Sequence, residues 1–184
     1  MELKRLENTS DKKAWEESMN ILIEEARLEQ KPVLRNLLEL YIYDFTEFGP
    51  YDVGSDGLYG YKNLDCYWTD EGRHPFILYV DDKIAGFVLI RRYYVDELNE
   101  YCYSVAEFFV MKKYRSCGVG KKVAFHMFNL FPGLWEVAQM KANNSAQVFW
   151  RNVIHEFTKG EFEEIQKENW NGPVQRFRTN LASI

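Results

Sequence analysis

Residues 114–122, YRSCGVGKK, put an arginine, two closely spaced glycines and a lysine pair into one short stretch. Cations at the start of a helix face the positive end of its dipole and are unfavourable there. A bound polyanion whose charge outweighs the dipole removes that conflict. Glycines let the backbone approach such a ligand, and the unbonded N–H groups of a helix start point at it. Two phosphate-binding patterns fail at this stretch. A P-loop needs G-x-x-x-x-G-K-[ST], yet Arg115 stands at the first glycine and Lys122 where the hydroxyl belongs. A dinucleotide fingerprint needs a third glycine, and Val123 occupies that position. What is left is R-x-x-G-x-G, from Arg115 to Gly120, following an apolar strand and opening a helix. The alternative is an ordinary glycine-containing turn.

The distribution of charge favours a ligand. Between Phe108 and Trp135 stand Lys112, Lys113, Arg115, Lys121 and Lys122 with no acidic residue, in a chain of 28 acidic and 23 basic residues with net charge −5. A basic patch on an acidic protein suits an anion of modest size. The overall sign argues against general nucleic-acid binding. A solvated surface face is the other account of the same patch.

The segment Arg115–Gly120 resembles the coenzyme A pyrophosphate loop of the GNAT superfamily of N-acetyltransferases. A second family motif, roughly N-x-x-A-x-x-F-[YW], is matched by Asn143, Ala146, Phe149 and Trp150, one strand after the loop. The resemblance covers residues 76–157, and the order of elements extends it over 20–75. The chain departs from the family's usual residues at Lys112, Ser116 and Trp150, where proline, glycine and tyrosine are common, and over Ile154–Phe157. The resemblance implies acetyl-CoA as co-substrate and no metal. It places the coenzyme against Arg115, Ser116, Cys117, Gly118, Val119, Gly120 and Lys121, with Asn143 and Phe149 beside the pantetheine arm. It also implies that the backbone N–H of Val110 contacts the coenzyme and stabilises the developing oxyanion.

The implied reaction is attack of a neutral amine on the acetyl thioester, and Glu107 is the base it points to. In AEFFV a carboxylate flanked by apolar residues must be paired, reach water through a cleft, or ionise at raised pH. An amine with pKa near ~10 is hard for a glutamate near ~4 to deprotonate directly, so a water relay fits. A rim glutamate is the alternative. For the acid, either a tyrosine such as Tyr114 or water serves. Cys117 reads as a small loop residue rather than a nucleophile. Between residues 44 and 71, seven acidic residues face only Lys62, interleaved with aromatics. Asp44, Tyr41, Tyr67 and Trp68 are expected to hold a small, cationic acceptor there; an acidic solvated loop with core aromatics is the other account. Polyamine, amino sugar, amino acid and protein amine all stay open. A non-catalytic coenzyme A or acyl-CoA-binding module is the alternative function, and a cofactor-free interaction domain a third.

The elements that must position these residues are legible as periodicities. Ile21 and Ile23 alternate as in a strand. Pro32 opens a helix through Val33, Leu34, Leu37, Leu38, Tyr41, Ile42 and Phe45. A connector spans roughly 48–74, then FILYV and IAGFVLI flank DDK as a hairpin. YSVAEFFV is a further strand, followed by the glycine loop, a helix from Gly118 to about Phe131, the strand LWEVAQM, a helix over NNSAQVFWRNVIHEF and two final strands. This order predicts one mixed α/β (α+β) domain over 19–184, with a mostly antiparallel twisted sheet and helices on both faces. Residues 1–18 read as an arm that either docks as a helix or stays mobile. Three cysteines without metal-site spacing suit a reducing compartment. With no apolar leader or long apolar run, the expectation is a cytoplasmic protein, monomeric or homodimeric, with no membrane or nucleic-acid partner.

Overall fold

The structure, a computed structural model, describes residues 18–180. The expected arm therefore lies, except for Ser18, outside the described residues. Strands β1 (Ile21–Glu25), β2 (Arg73–Val80), β3 (Lys83–Val95), β4 (Glu100–Val110), β5 (Gly133–Ala138), β6 (Glu163–Lys167) and β7 (Trp170–Thr179) form one sheet in the order β1-β2-β3-β4-β5-β7-β6. β4 and β5 run parallel, and every other neighbouring pair is antiparallel. Among the described residues four α-helices accompany the sheet: α1 (Lys31–Phe45), the short α2 (Cys66–Thr69), α3 (Val119–Leu130) and α4 (Asn144–Thr158).

Local chemistry accounts for the element ends. Pro32 lies in the first turn of α1, where its missing N–H costs no helical bond. Asp81 and Asp82 take left-handed backbone angles (φ 49° and 60°) in the two-residue β2–β3 turn, the twist a tight hairpin requires. The Asp81 carboxylate also accepts the Asn20 N–H at 3.1 Å, tying the chain entering β1 to that turn. One boundary differs from the sequence expectation. The apolar run IAGFVLI ends at Ile90, but β3 continues to Val95 because Arg91 and Tyr93 alternate with Arg92 and Tyr94 as strand residues do.

Two apolar layers sandwich the sheet. On one face Val123, Met127 and Phe128 of α3 and Trp150 and Ile154 of α4 pack on Val88, Ile90, Trp135 and Phe177. On the other, Leu34, Leu37, Leu38 and Tyr41 of α1 pack on Ile77, Phe87, Leu89 and Phe109. Leu34 and Leu38 are fully buried, so truncation of either to alanine costs about 2–5 kcal/mol. No helix among the described residues is long and apolar enough to cross a membrane.

The feature that makes a site is a failure of pairing. β5 pairs with β4 through Leu134–Glu136 against Cys102–Ser104, and no further. Just beyond, the β3–β4 register jumps from Ile90↔Val105 to Leu89↔Glu107, which leaves Ala106 as an extra residue in β4. A bulge of this kind bends the strand and re-aims its side chains. β4 thus leaves β5, and the sheet splits between them.

Candidate active site

A cleft of about 1670 Å³ runs through this split, from the glycine loop on the α3–α4 side to Glu107 and Tyr61 on the α1 side. The bulge decides where Glu107 points. Ser104 and Glu107 share the α1 face although they stand an odd number of positions apart, because Ala106 adds a step to the alternation.

Glu107 is held by two tyrosines. Tyr41 of α1 donates to Oε2 at 2.5 Å, and Tyr61 of the connector donates to Oε1 at 3.0 Å. Tyr61 reaches it because Glu39 of α1 accepts the Tyr59 and Gly60 N–H groups, at 2.6 and 3.0 Å, and so pins the connector over the sheet. Burial pushes the Glu107 pKa above the ordinary carboxylate range, while the two tyrosine hydrogen bonds work against that rise. Burial and the nearby Glu107 charge push both tyrosine hydroxyls up, so they serve as donors and not as phenolates.

At the end of β4, Met111 donates its N–H to Ala85 O at 2.8 Å across the β3 edge. Backbone polar groups alternate along an antiparallel strand, so the N–H and C=O of Val110 and Phe108 point away from β3 and into the split. Arg115 Nε takes the Val110 carbonyl at 2.6 Å. The Val110 N–H faces the opening.

The glycine loop follows a 3-10 turn over Lys112–Tyr114. Ser116 (φ 59°) and Gly118 (φ 83°) both adopt left-handed angles, and Gly118 caps α3 with no side-chain hydrogen bond. The first helical bond is donated by Lys122 to Gly118 O, so the N–H groups of Val119, Gly120 and Lys121 have no intrahelical acceptor. A Cβ built on Gly118 meets nothing within 4 Å. This combination of open space and unsatisfied donors fits a phosphate group. Gly120 does a different job: a Cβ there would lie 3.1 Å from the Phe149 ring, which packs α4 against the loop.

The cations of the loop are more engaged than their acid-free sequence window suggests. Arg115 and Lys112 both pair with Asp44 at the end of α1, and Lys121 pairs with Glu156 of α4 at 2.9 Å. The acids missing from the window arrive from other elements. Asp44, expected at the acceptor, lines the cleft and also ties α1 to the glycine loop.

Of the other sequence candidates, Tyr41, Tyr67, Ser116, Lys121, Asn143 and Phe149 line the cleft. Asn143 caps α4, its side-chain oxygen accepting the Ala146 N–H at 2.9 Å. Cys117 and Val119 are buried in the core, so they can offer a ligand their backbone alone. Trp68 donates its indole N–H to Ala26 O at 2.8 Å and does not line the cleft; Tyr114 is likewise a core residue. Arg73 and Arg91 carry no mark in the sequence, and Tyr61 stands out there only as one of the aromatics interleaved with the acids of 44–71. Their place in the site had no short-range signal because each reaches the cleft through pairing or loop closure.

The Acetyltransferase (GNAT) family model matches residues 34–152. No curated protein matches the chain. Among solved structures, an acetyltransferase from Thermus thermophilus has a TM-score of 0.62 at 14% identity, over 86% of this chain and 97% of its own. A GNAT-family acetyltransferase from Staphylococcus aureus has a TM-score of 0.58 at 18% identity, over 88% and 100%. A PaiA N-acetyltransferase from Thermoplasma acidophilum, solved with coenzyme A, has a TM-score of 0.59 at 9% identity, over 86% and 99%. With a family match spanning most of the chain, and the split sheet and glycine loop in place, this protein belongs to the GNAT acetyltransferase family.

Proposed function

We propose that the protein transfers an acetyl group from acetyl-CoA to the primary amine of a small acceptor. The observation that carries this reading is the single cleft linking the glycine loop, the Val110 N–H and Glu107. Acetyl-CoA supplies the acetyl thioester; the chain holds it and manages charge and protons.

The loop N–H groups from Gly118 to Lys121 bind the pyrophosphate, with Ser116 at the mouth and Phe149 and Asn143 along the pantetheine arm. Arg115 acts on the same event by fixing Val110 and the loop together. The Val110 N–H donates to the negative charge that develops on the thioester carbonyl oxygen, a role a fixed backbone dipole fills without reorganising. Glu107, its pKa raised by burial, accepts the ammonium proton directly or through a water, and Tyr41 and Tyr61 hold its carboxylate in place. The departing thiolate takes its proton from solvent, since neither Trp150 nor Tyr114 offers an acidic hydroxyl to the cleft.

The direct test is a calorimetric titration with acetyl-CoA and with free coenzyme A, followed by thiol release across a panel of amines. Saturable binding with amine-dependent thiol release supports the reading. Binding without turnover assigns a coenzyme A-binding module instead, and no binding at millimolar ligand overturns both.

A further inference from the structure

One residue from each of β2, β3, β4, β5, β7 and β6 forms a continuous row on the α1 side of the sheet. The register runs Arg73↔Arg91, Arg91↔Ser104, Ser104↔Glu136, Glu136↔Arg176 and Arg176↔Glu163. At the far end the charges alternate and are satisfied. The almost fully buried Glu136 accepts from Arg176, Lys167 and Tyr93, and Arg176 also faces Glu163. Burial pushes the Glu136 pKa up, yet those donors outweigh it and hold the carboxyl below its ordinary range.

At the cleft end the pattern breaks. Arg73 and Arg91 stand directly opposite each other, both line the cleft, and neither makes a direct ion pair among the described residues, although the Arg91 charge reaches Glu107 and works against the rise that burial causes in its pKa. Like charges facing each other across a strand pair are destabilising. Their neighbour Arg92, by contrast, is paired with Glu71 at 3.1 Å. Each unpaired guanidinium rests on a ring, Arg73 over Tyr67 at 5.5 Å and Arg91 over Tyr93 at 5.4 Å. Tyr67 adds a second observation. Its residue is 4% exposed, it lines the cleft, and no group stands in good hydrogen-bonding geometry to its hydroxyl, although burial pushes its pKa up and the Arg73 guanidinium lies near enough to work against that rise. A buried hydroxyl left unbonded is uncommon and points to a group that completes it.

We propose that Arg73, Arg91 and Tyr67 form an anion subsite in the acceptor chamber, so that the acceptor carries a carboxylate or phosphate as well as its amine. This rests on the acetyl-transfer reading above. Glu107 faces Leu89, two residues along β3 from Arg91, which separates base and cation by about 7 Å along the strand at ~3.3 Å per residue. That spacing suits a small zwitterion, its amine toward Glu107 and its anionic end toward the arginines. Arginine forks match the planar carboxylate and the phosphate alike.

The test uses matched acceptors in the thiol-release assay: amino acids against their amides, and aminoalkyl phosphates against the corresponding amino alcohols. The expected result is a preference of about tenfold or more in kcat/KM for the anionic member of a pair. Arg73→Gln and Arg91→Gln should each erode that preference while leaving acetyl-CoA affinity unchanged. The two kinds of pair distinguish carboxylate from phosphate. A thermal shift with the same compounds needs no turnover: anionic members should raise the wild-type Tm, neutral ones should not, and Arg91→Gln should abolish the rise. Equal use of both members, or a preference that survives both substitutions, overturns the subsite and leaves acetyl transfer intact. An arginine-dependent shift with no thiol release overturns the transfer reading and leaves the subsite.

Discussion

The Tyr41 hydroxyl donates to Glu107 Oε2 across 2.5 Å, joining the last turns of α1 to the bulged part of β4. The contact sets the electrostatic state of the site. Burial favours the protonated carboxyl, and the hydrogen bonds from Tyr41 and Tyr61 favour the ionised one.

Removing one donor should move that balance. In Tyr41→Phe the ionised form loses a partner, so the Glu107 pKa rises further. The acid limb of the kcat/KM profile should shift to higher pH, with activity at neutral pH reduced about three- to tenfold. A pH–rate series on wild type, Tyr41→Phe and Tyr61→Phe checks this. An acid limb that stays in place removes Tyr41 from the tuning of Glu107.

Glu107→Gln should lower kcat by about 10²–10⁴-fold while sparing acetyl-CoA affinity. It should also stabilise the fold at neutral pH. The folded pKa lies above the unfolded one, so the unfolded chain gives up this proton first as pH rises. Stability falls across the interval from the ordinary glutamate range up to the folded pKa. Glutamine escapes that loss, so the Tm advantage of Glu107→Gln should vanish as pH drops below the ordinary range. Thermal melts at several pH values measure it; a variant less stable at neutral pH would show that Glu107 serves the fold instead.

Arg115 links the Val110 carbonyl to Asp44. Arg115→Ala should weaken acetyl-CoA binding about tenfold or more by releasing the loop from the strand. Asp44→Asn separates two roles for the aspartate. A brace predicts a smaller loss of acetyl-CoA affinity, whereas an acceptor contact predicts an acceptor KM increase with that affinity unchanged. Calorimetry and steady-state kinetics on the two variants decide between them.

The two loop glycines should fail differently. Gly118→Val puts a branched side chain into open space at φ 83°, so it should strain the cap by about 1–2 kcal/mol and block the phosphate position. Gly120→Val drives its Cβ toward Phe149, an overpacking worth about 1–3 kcal/mol. Melting temperatures paired with titrations separate the two. Equal acetyl-CoA affinity in Gly118→Val and wild type would make the loop a structural turn.

Much of this protein is written in short-range pattern. Helical spacing in 33–45, alternation in Ile21 and Ile23, and the arginine–glycine loop each depend on neighbours a few residues apart. The elements and the strand–loop–helix unit were therefore readable from sequence. The charge reading of the loop was only partly so: the window from Phe108 to Trp135 lacks acids, yet Asp44 and Glu156 supply them from α1 and α4.

By itself, the sequence determined the order of strands and helices, the apolar stripes that layer them and an arginine–glycine loop at the start of α3. Tertiary structure decided the face on which Glu107 lies, because one inserted residue in β4 reverses the alternation beyond it. It also decided which tyrosines reach Glu107 and that Arg73 stands opposite Arg91, across 46 and 66 residues of separation for the tyrosines. The physical reason is range. Periodicity and turn chemistry act over a few residues, whereas strand register and loop closure join residues far apart, and a single step of register changes every face beyond it.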